Sequence, residues 1–503
     1  MSLHDVRIAP LDEHNRALLA NVHPEPYDNP TPSGRYNLAV IGAGTAGLVT
    51  AAAAAGLGAK VALIERDLLG GDCLNVGCVP SKSLLRAARA VHQARHAGVF
   101  GVNVGDVSVD FAAVMERMRR LRAEISRNDS VARFRSLGVD VYIGHGRFAG
   151  GNSIEVEDRE LEFARAVITT GARASAPPIA GLDEVPHLTN ENVFWLTELP
   201  RRLLVLGAGP IGCELGQAFR RFGSEVTIVA NEILPKEERE TAAVVAESLR
   251  RDGVRLELGV QIRQASRRGS EVVLRYERDG EASELLGDHL LLGAGRAANV
   301  DDLGLERVGV EYSDKGVRVD DGLRTTNPAI YAAGDVCSKY QFTHAADAMA
   351  RIVIQNALFF GRKRASALTI PWCTYTSPEI AHVGLNARDA AAAGIETDTF
   401  TIPLADVDRA RLDGESEGFV RAAVRKGSDK LVGLTIVAEH AGEMIGEAVL
   451  AMNQSIGLSS FANTIHPYPT QAEALRKLGD AYNRTRLTPK VKLLFERLLS
   501  WRR

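Results

Sequence analysis

Cysteine is scarce in this chain, with five in 503 residues. So few cannot form the disulfide framework of a secreted scaffold, and they point to a reducing, cytoplasmic setting. A charge imbalance is missing too. Sixty Lys and Arg against 63 Asp and Glu leave a formal net charge of −3, so no broad basic field is offered to nucleic acid. The first 35 residues lack the basic and continuous apolar regions of a signal peptide. With Pro24, Pro26, Pro30 and Pro32 they predict a short helix followed by an extended arm. The stretch LAVIGAGTAGLVTAAAAAGLGAKVALI, residues 38–64, is apolar enough to suggest a membrane span. Its glycines stand where a strand–turn–helix–strand unit needs them, so it predicts a buried βαβ unit and no membrane partner.

What is plentiful is ordinary globular composition: 45% apolar and 24% charged residues, over a length that allows two to four domains. Glycine, at 47, suits backbones that approach phosphates closely.

Two glycine motifs stand in matching contexts. An apolar strand at residues 36–41 precedes Gly42-Ala43-Gly44-Thr45-Ala46-Gly47, then an Ala-rich helix and a second strand ending on Glu65. In such a unit Gly42 allows the tight turn, Gly44 lets backbone amides reach a pyrophosphate and Gly47 lets helix and strand pack closely. Glu65 can accept ribose hydroxyls. The pattern recurs with a strand at residues 202–206, Gly207-Ala208-Gly209-Pro210-Ile211-Gly212, a helix and another strand. Here Ala230 takes the place of Glu65, without a clear Arg beside it, so the choice between NADPH and NADH stays open. Two such sites suggest two dinucleotide cofactors facing one another.

Directly after the first unit comes GGDCLNVGCVPSK, residues 70–82, with Cys73 and Cys78 just ahead of a predicted helix that has Pro80 in its first turn. A helix N-terminus and Lys82 both favour thiolate. In a reducing setting such a pair suits catalysis or metal binding better than a structural staple. Cys213, Cys337 and Cys373 stand alone and read as inert buried thiols. The basic clusters at 117–122 and 362–364 read as solvated helix faces or termini.

With the Cys pair in this place the chain resembles the pyridine nucleotide–disulfide oxidoreductases, the flavoproteins that include dihydrolipoamide dehydrogenase, glutathione reductase and mercuric reductase. The likeness is carried by GGDCLNVGCVPSK, ITTGA (168–172), GAGRAAN (293–299), TTNPAIYAAGD (325–335) and YTSPEIAHVGL (375–385), in that order. It implies an α/β fold with two Rossmann-like domains, for FAD and NAD(P), and a C-terminal α+β dimerisation domain. The expected division is an arm over 1–35, FAD-binding parts at 36–180 and 297–368, an NAD(P)-binding domain at 181–296 and an interface domain at 369–503.

The resemblance implies a homodimer whose active sites are shared between subunits. It makes Cys73–Cys78 a redox-active disulfide, Cys78 towards the flavin and Cys73 towards the acceptor. Lys82 lies near the flavin and pairs with Glu214. The cofactor-binding residues would be Gly42, Gly44, Thr45, Ala46, Gly47, Glu65, Gly71, Asp72, Lys82, Thr170, Gly171, Gly295, Arg296, Gly334 and Asp335 for FAD, with Gly207, Gly209, Ile211, Gly212 and Glu214 for the nicotinamide side.

The segment IHPYPTQAEALRK, residues 465–477, departs from the disulfide reductases. They carry a second His, the acid/base, where this chain has Tyr468, while His466, Pro469, Thr470 and Glu473 keep their places. A Tyr of ordinary pKa, about 10, is a poor base at neutral pH. Mercuric reductases also place Tyr there, and Hg²⁺ held transiently by the thiolates of Cys73 and Cys78 needs no proton relay. Those enzymes, however, end in a vicinal Cys pair, and this chain ends ERLLSWRR. A mercuric-reductase-like enzyme is the leading expectation. A dihydrolipoamide-type dehydrogenase using His466 as base, and a thiol-based redox or metal sensor, are the alternatives.

Overall fold

The computed structural model describes residues 8–293 and 295–503. Residues 1–7 of the arm and Ala294 of GAGRAAN lie outside the described residues. Packing divides the chain into two compact units, Met1–Asn231 with Glu257–Leu368, and Glu232–Leu256 with Thr369–Arg503. Among the described residues no helix is long and apolar enough to cross a membrane.

The first unit is built on a parallel sheet. Tyr36–Ile41 pairs with Val61–Glu65 on one side and Arg159–Ile168 on the other, so that Ile41 faces both Ile64 and Ile168. Val139–Ile143 extends the sheet beyond Val61–Glu65, and Ile330–Ala332 lies beside Arg159–Ile168. Apart from Arg159–Ile168, these strands are short and largely apolar, as expected when both sheet faces are covered. Their side chains fill one core with Phe148, Phe163, Val300 and Leu305. Arg159–Ile168 is double the usual length. Its first half pairs antiparallel with Ser153–Val156, and its second half joins the parallel sheet.

The parallel pairing sets every motif at one edge. Residues 42–47, 65–72, 169–171 and 333–335 each follow the carboxyl end of a parallel strand, the end at which open α/β sheets bind ligands. A second parallel set repeats the plan, with Arg202–Leu206 between Glu225–Ala230 and His289–Leu292. An antiparallel meander, Gln261–Arg268, Glu271–Arg278 and Glu281–Gly287, accompanies it. Chain passes between the two sheets through a ribbon in which Ala172–Ala174 pairs with Arg296–Ala298.

The N-terminal arm forms a helix, Glu13–Val22, capped by Asp12, and then runs without regular structure to the first strand. It is firmly attached. Tyr27 Oη donates to the carbonyl of Val141 at 2.7 Å, and the Asn29 side chain exchanges two hydrogen bonds with Ile143. Asn29 thereby occupies backbone groups on an edge strand that would otherwise be open to pairing.

The structure corrects the expectation for residues 117–122. Arg119 and Arg122, on the helix Phe111–Ser126, are buried rather than solvated. Arg119 Nε donates to Asp12 Oδ2 at 2.5 Å, while Arg122 donates to the carbonyl of Asn75 and to Asn15 Oδ1, each at 2.6 Å. Taking an ion out of water costs several kcal/mol. Hydrogen bonds from a charged donor return about 1.5–3 kcal/mol each. The two arginines therefore go inside only because the arm brings acceptors to meet them.

The second unit holds a five-stranded antiparallel sheet in the order Trp372–Thr374, Glu379–Gly384, Leu431–Ala438, Phe419–Arg425, Thr397–Pro403. Helices Ala441–Asn453 and Glu473–Arg486 contribute Met444, Ile445, Leu475 and Leu478 to its core. A last helix, Pro489–Trp501, has no buried residue.

Candidate active site

In the first glycine loop the backbone is held by two neighbours. Gly42 has a φ of +102°, and a Cβ there would lie 2.5 Å from the carbonyl oxygen of Thr169. Thr169 Oγ1 donates to the carbonyls of Ile41 and Gly42. From the other side, the buried Glu65 accepts from the Ala43 amide at 2.6 Å through Oε2 and from the Asp67 amide at 2.9 Å through Oε1. Burial pushes its carboxyl pKa up, and these amide bonds oppose the rise. Glu65 thus fixes the loop as well as closing the strand.

The glycines differ in what a side chain would meet. At Gly47 a Cβ would lie 1.9 Å from the carbonyl oxygen of Gly42, whereas at Gly44 the nearest atom is the Gly71 Cα at 3.8 Å. The space beside Gly44 is therefore not taken by protein. It opens onto the N-terminus of the helix Thr45–Gly56, which has no side-chain cap. Unclaimed amides beside an open backbone fit a pyrophosphate. The second loop repeats the geometry: a Cβ at Gly212 would lie 2.0 Å from the Gly207 oxygen, and Gly209 has nothing nearer than 3.9 Å. Its helix, Pro210–Phe222, is also uncapped by side chains, and the strand that follows ends on Ala230. Ile211 sits in its first turn.

Other predicted cofactor residues line the same sheet edge. Thr170 Oγ1 donates to the carbonyl of Asn299, whose side chain returns a bond to the Thr170 carbonyl, and the Gly171 carbonyl accepts from the Asn299 amide. Arg296 donates to Asp72 and to the carbonyl of Ala172, and lies 3.6 Å from Asp335. Burial pushes the Asp335 carboxyl up to about 6 despite that cation. Gly334 and Gly295 take the left-handed backbone conformations beside these two residues.

Cys73 lies on a short helical turn, Gly71–Asn75, and Cys78 opens the helix Cys78–Arg95. Both are thiols in this structure. The turn between them folds back tightly, since a Cβ on Gly77 would lie 2.7 Å from the Asp72 carbonyl oxygen. Cys73 donates to Cys78, which holds the Cys78 thiol down to about 6; Thr343 and the Lys82 cation act in the same direction, against burial. The same hydrogen bond, followed by burial, pushes the Cys73 thiol up. These opposite shifts favour one thiolate beside a protonated neighbour, the form in which exchange starts. One turn along, Lys82 Nζ lies 2.7 Å from Oε2 of the buried Glu214, joining the helix that Cys78 opens to the helix that follows the second glycine motif.

His466, Tyr468 and Glu473 belong to the second unit. Both ring nitrogens of His466 face acceptors, Nδ1 the carbonyl of Thr464 and Nε2 the Glu447 carboxylate, each at 3.1 Å. Tyr468 Oη donates to Asp408 Oδ2 at 2.9 Å, and that bond pushes its pKa up. Glu473 pairs with Arg476 at 2.6 Å. Tyr468 and Glu473 have separate partners.

Sequence reasoning missed Thr343, whose Oγ1 lies 3.4 Å from Cys78 Sγ, along with Thr169 and Glu447. Thr343 is distant in sequence and carries no motif. Thr169 lies within ITTGA, beside the Thr170 and Gly171 that the motif marks. The solitary cysteines divide. Cys213 is fully buried with its thiol pushed above the usual range, Cys337 is pushed up to about 12 by burial, and Cys373 is half-buried. Among the described residues no cluster of three metal-ligating side chains occurs.

Residues 36–350 match the family described as pyridine nucleotide-disulphide oxidoreductase, and residues 370–478 match that family's dimerisation domain. The mercuric reductase of Streptomyces lividans is 36% identical over 455 residues, covering 89% of this chain and 96% of that protein. The dihydrolipoyl dehydrogenase of Bacillus subtilis is 31% identical, covering 88% and 96%. Among solved structures, LpdA from Mycobacterium tuberculosis superposes with a TM-score of 0.81 at 29% identity, covering 89% of this chain and 99% of that one. The Cu(II) complex of the HOCl-induced flavoprotein disulfide reductase RclA from Escherichia coli gives 0.78 at 28%, covering 88% and 98%.

Proposed function

The chain belongs to the pyridine nucleotide–disulphide oxidoreductases, which use FAD and NAD(P)H, and from that membership we propose that it reduces a soft metal ion, Hg²⁺ foremost, through Cys73 and Cys78. Bound FAD supplies a two-electron acceptor for hydride and a two-electron donor to the disulfide. The chain's own residues then have three tasks. The two uncapped helix N-termini bind pyrophosphates. Lys82, steadied by Glu214, keeps a cation beside the Cys78 thiolate. The dithiol binds Hg²⁺ as two thiolates, giving up its protons to water as the metal takes the sulfurs. Over a turnover NAD(P)H loses a hydride, Hg²⁺ gains two electrons and leaves as Hg⁰, and one proton is released.

One observation supports the metal reading: in the C-terminal segment both His466 nitrogens and the Tyr468 hydroxyl already face acceptors. A disulfide substrate needs a proton carrier beside the interchange thiol. His466 has an acceptor on each nitrogen, and the Tyr468 hydroxyl is committed to Asp408 with its pKa raised. A thiol ligated to a soft cation needs no such carrier. In the homodimer the partner subunit would present this segment, with Tyr468 as a contact for the metal and not as a base.

The test is anaerobic oxidation of NADPH and of NADH with Hg²⁺, Cu²⁺, lipoamide and glutathione disulfide as acceptors. Hg²⁺ should be reduced fastest, and Tyr468→Phe should lower kcat with Hg²⁺ by about tenfold or more, roughly 1.4 kcal/mol of barrier. Cu²⁺ is included because a structural relative is seen as a Cu(II) complex. Lipoamide outpacing both metals would overturn the reading.

A further inference from the structure

Of the two buried arginines, Arg122 meets the cysteine segment from behind, and nothing in the mechanism above uses it. Asn75 stands between the cysteines and closes the turn that carries Cys73. Its carbonyl accepts from Arg122 Nη1 at 2.6 Å. Its side-chain amide donates to the carbonyls of Leu69 and Gly71, so Asn75 holds the turn from both ends. Arg122 is 1% exposed, and its other terminal nitrogen donates to Oδ1 of Asn15, which is wholly buried in the arm's helix. Asn15 is itself held by Pro10, whose carbonyl accepts from Nδ2 at 2.7 Å, and by Asp12, which accepts from its amide at 2.8 Å. The arm touches the same loop again, where the Leu69 amide donates to the Val22 carbonyl and His23 Nδ1 lies 2.5 Å from the Asp67 carbonyl.

We infer that Arg122 is a positioning residue for Cys73, aimed by Asn15, so that the N-terminal helix is a working part of the redox site. A planar guanidinium has a fixed fork. With one tine on Asn15 and the other on the Asn75 carbonyl, the turn cannot slide without moving the arm's helix. The position of that turn sets where the Cys73 sulfur stands relative to Cys78. The consequence is thermodynamic. Closing a disulfide requires both sulfurs in a narrow geometry, so a held turn favours the disulfide over the dithiol. The inference rests on the reading of Cys73 and Cys78 as the working dithiol.

The experiment is a redox titration of the FAD-loaded full chain in dithiothreitol buffers, with thiols counted by mass spectrometry after acid quench and alkylation. Arg122→Lys keeps the charge and loses the fork. Asn15→Leu removes the acceptor, and Asn15→Asp keeps it. The first two should lower the equilibrium constant for disulfide formation about tenfold, making the potential about 30 mV less negative. Asn15→Asp, which keeps the acceptor for Arg122 and gives up only the donor to Pro10, should shift the potential less than Asn15→Leu, and FAD content should hold in all three. Unaltered potentials in Arg122→Lys and Asn15→Leu would overturn the inference, as would an equal shift in Asn15→Asp. Should Arg122→Lys fail to fold, the two Asn15 variants decide alone. If the unaltered protein shows no dithiol–disulfide couple at all, the dithiol reading has failed and this inference falls with it. That outcome is distinct from a normal couple that the variants leave unmoved.

Discussion

At Cys78 opposing influences act on one sulfur. The hydrogen bond from Cys73 lowers the thiol most, burial opposes it, and Thr343 and Lys82 lower it further, for a result of about 6. A thiol held down is ionised over a pH range in which an ordinary one is not. Thiolate should therefore appear as pH rises through about 6 and stay constant through neutrality, while the raised Cys73 contributes nothing there. Ultraviolet thiolate absorbance of the reduced protein, taken as a difference against Cys78→Ser, measures this directly. Lys82→Met should move the midpoint up by about one unit, the usual effect of losing an opposite charge a few ångströms away. A midpoint left in place would mean that Cys73 and Thr343 tune the site without Lys82. Little of this was legible beforehand. The sequence motif marks Cys78 and Lys82 as neighbours along a helix, but Thr343 reaches the sulfur from residues that the fold alone brings close.

The two glycine loops allow a sharper experiment at the level of the element. Gly47→Ala places a Cβ 1.9 Å from a carbonyl oxygen, so helix and loop have to part. Gly44→Ala meets no protein atom closer than 3.8 Å, so the fold is undisturbed and only the pyrophosphate loses its approach. Both variants should lose FAD, measured by flavin absorbance after gel filtration. Gly44→Ala apoprotein should melt with unaltered apoprotein, and Gly47→Ala several degrees below it, as a cost of about 1–3 kcal/mol implies for overpacking. Equal melting would contradict the division of labour. These elements were the easiest to foresee, because fully buried parallel strands leave continuous apolar runs and the loops need glycine for steric reasons. The helix Phe111–Ser126 was the hardest. Arg119 and Arg122, three residues apart on an amphipathic pattern, look like any solvated face until Asp12 and Asn15 arrive from a hundred residues away. Glu447 carries no sequence signal for the same reason, since only the fold brings its helix to His466.

For the whole molecule, the dimerisation domain supports a homodimer of 54.2 kDa chains, and the proposal that the partner subunit supplies Tyr468 can be tested by complementation. Cys73→Ser and Tyr468→Phe subunits, each impaired alone, should recover activity with Hg²⁺ when mixed under conditions that allow exchange. Half of the dimers would then be mixed, each with one intact site, giving about a quarter of the unaltered rate. No recovery would mean that each chain completes its own site.

The ribbon of Ala172–Ala174 against Arg296–Ala298 bears on how such a chain is assembled over evolutionary time. The backbone leaves the first sheet and re-enters it side by side, with Ala172 opposite Ala298. Whatever is spliced between these strands presents adjoining ends to its host, and closing so short a gap costs little chain entropy. The intervening segment is in that sense a cassette.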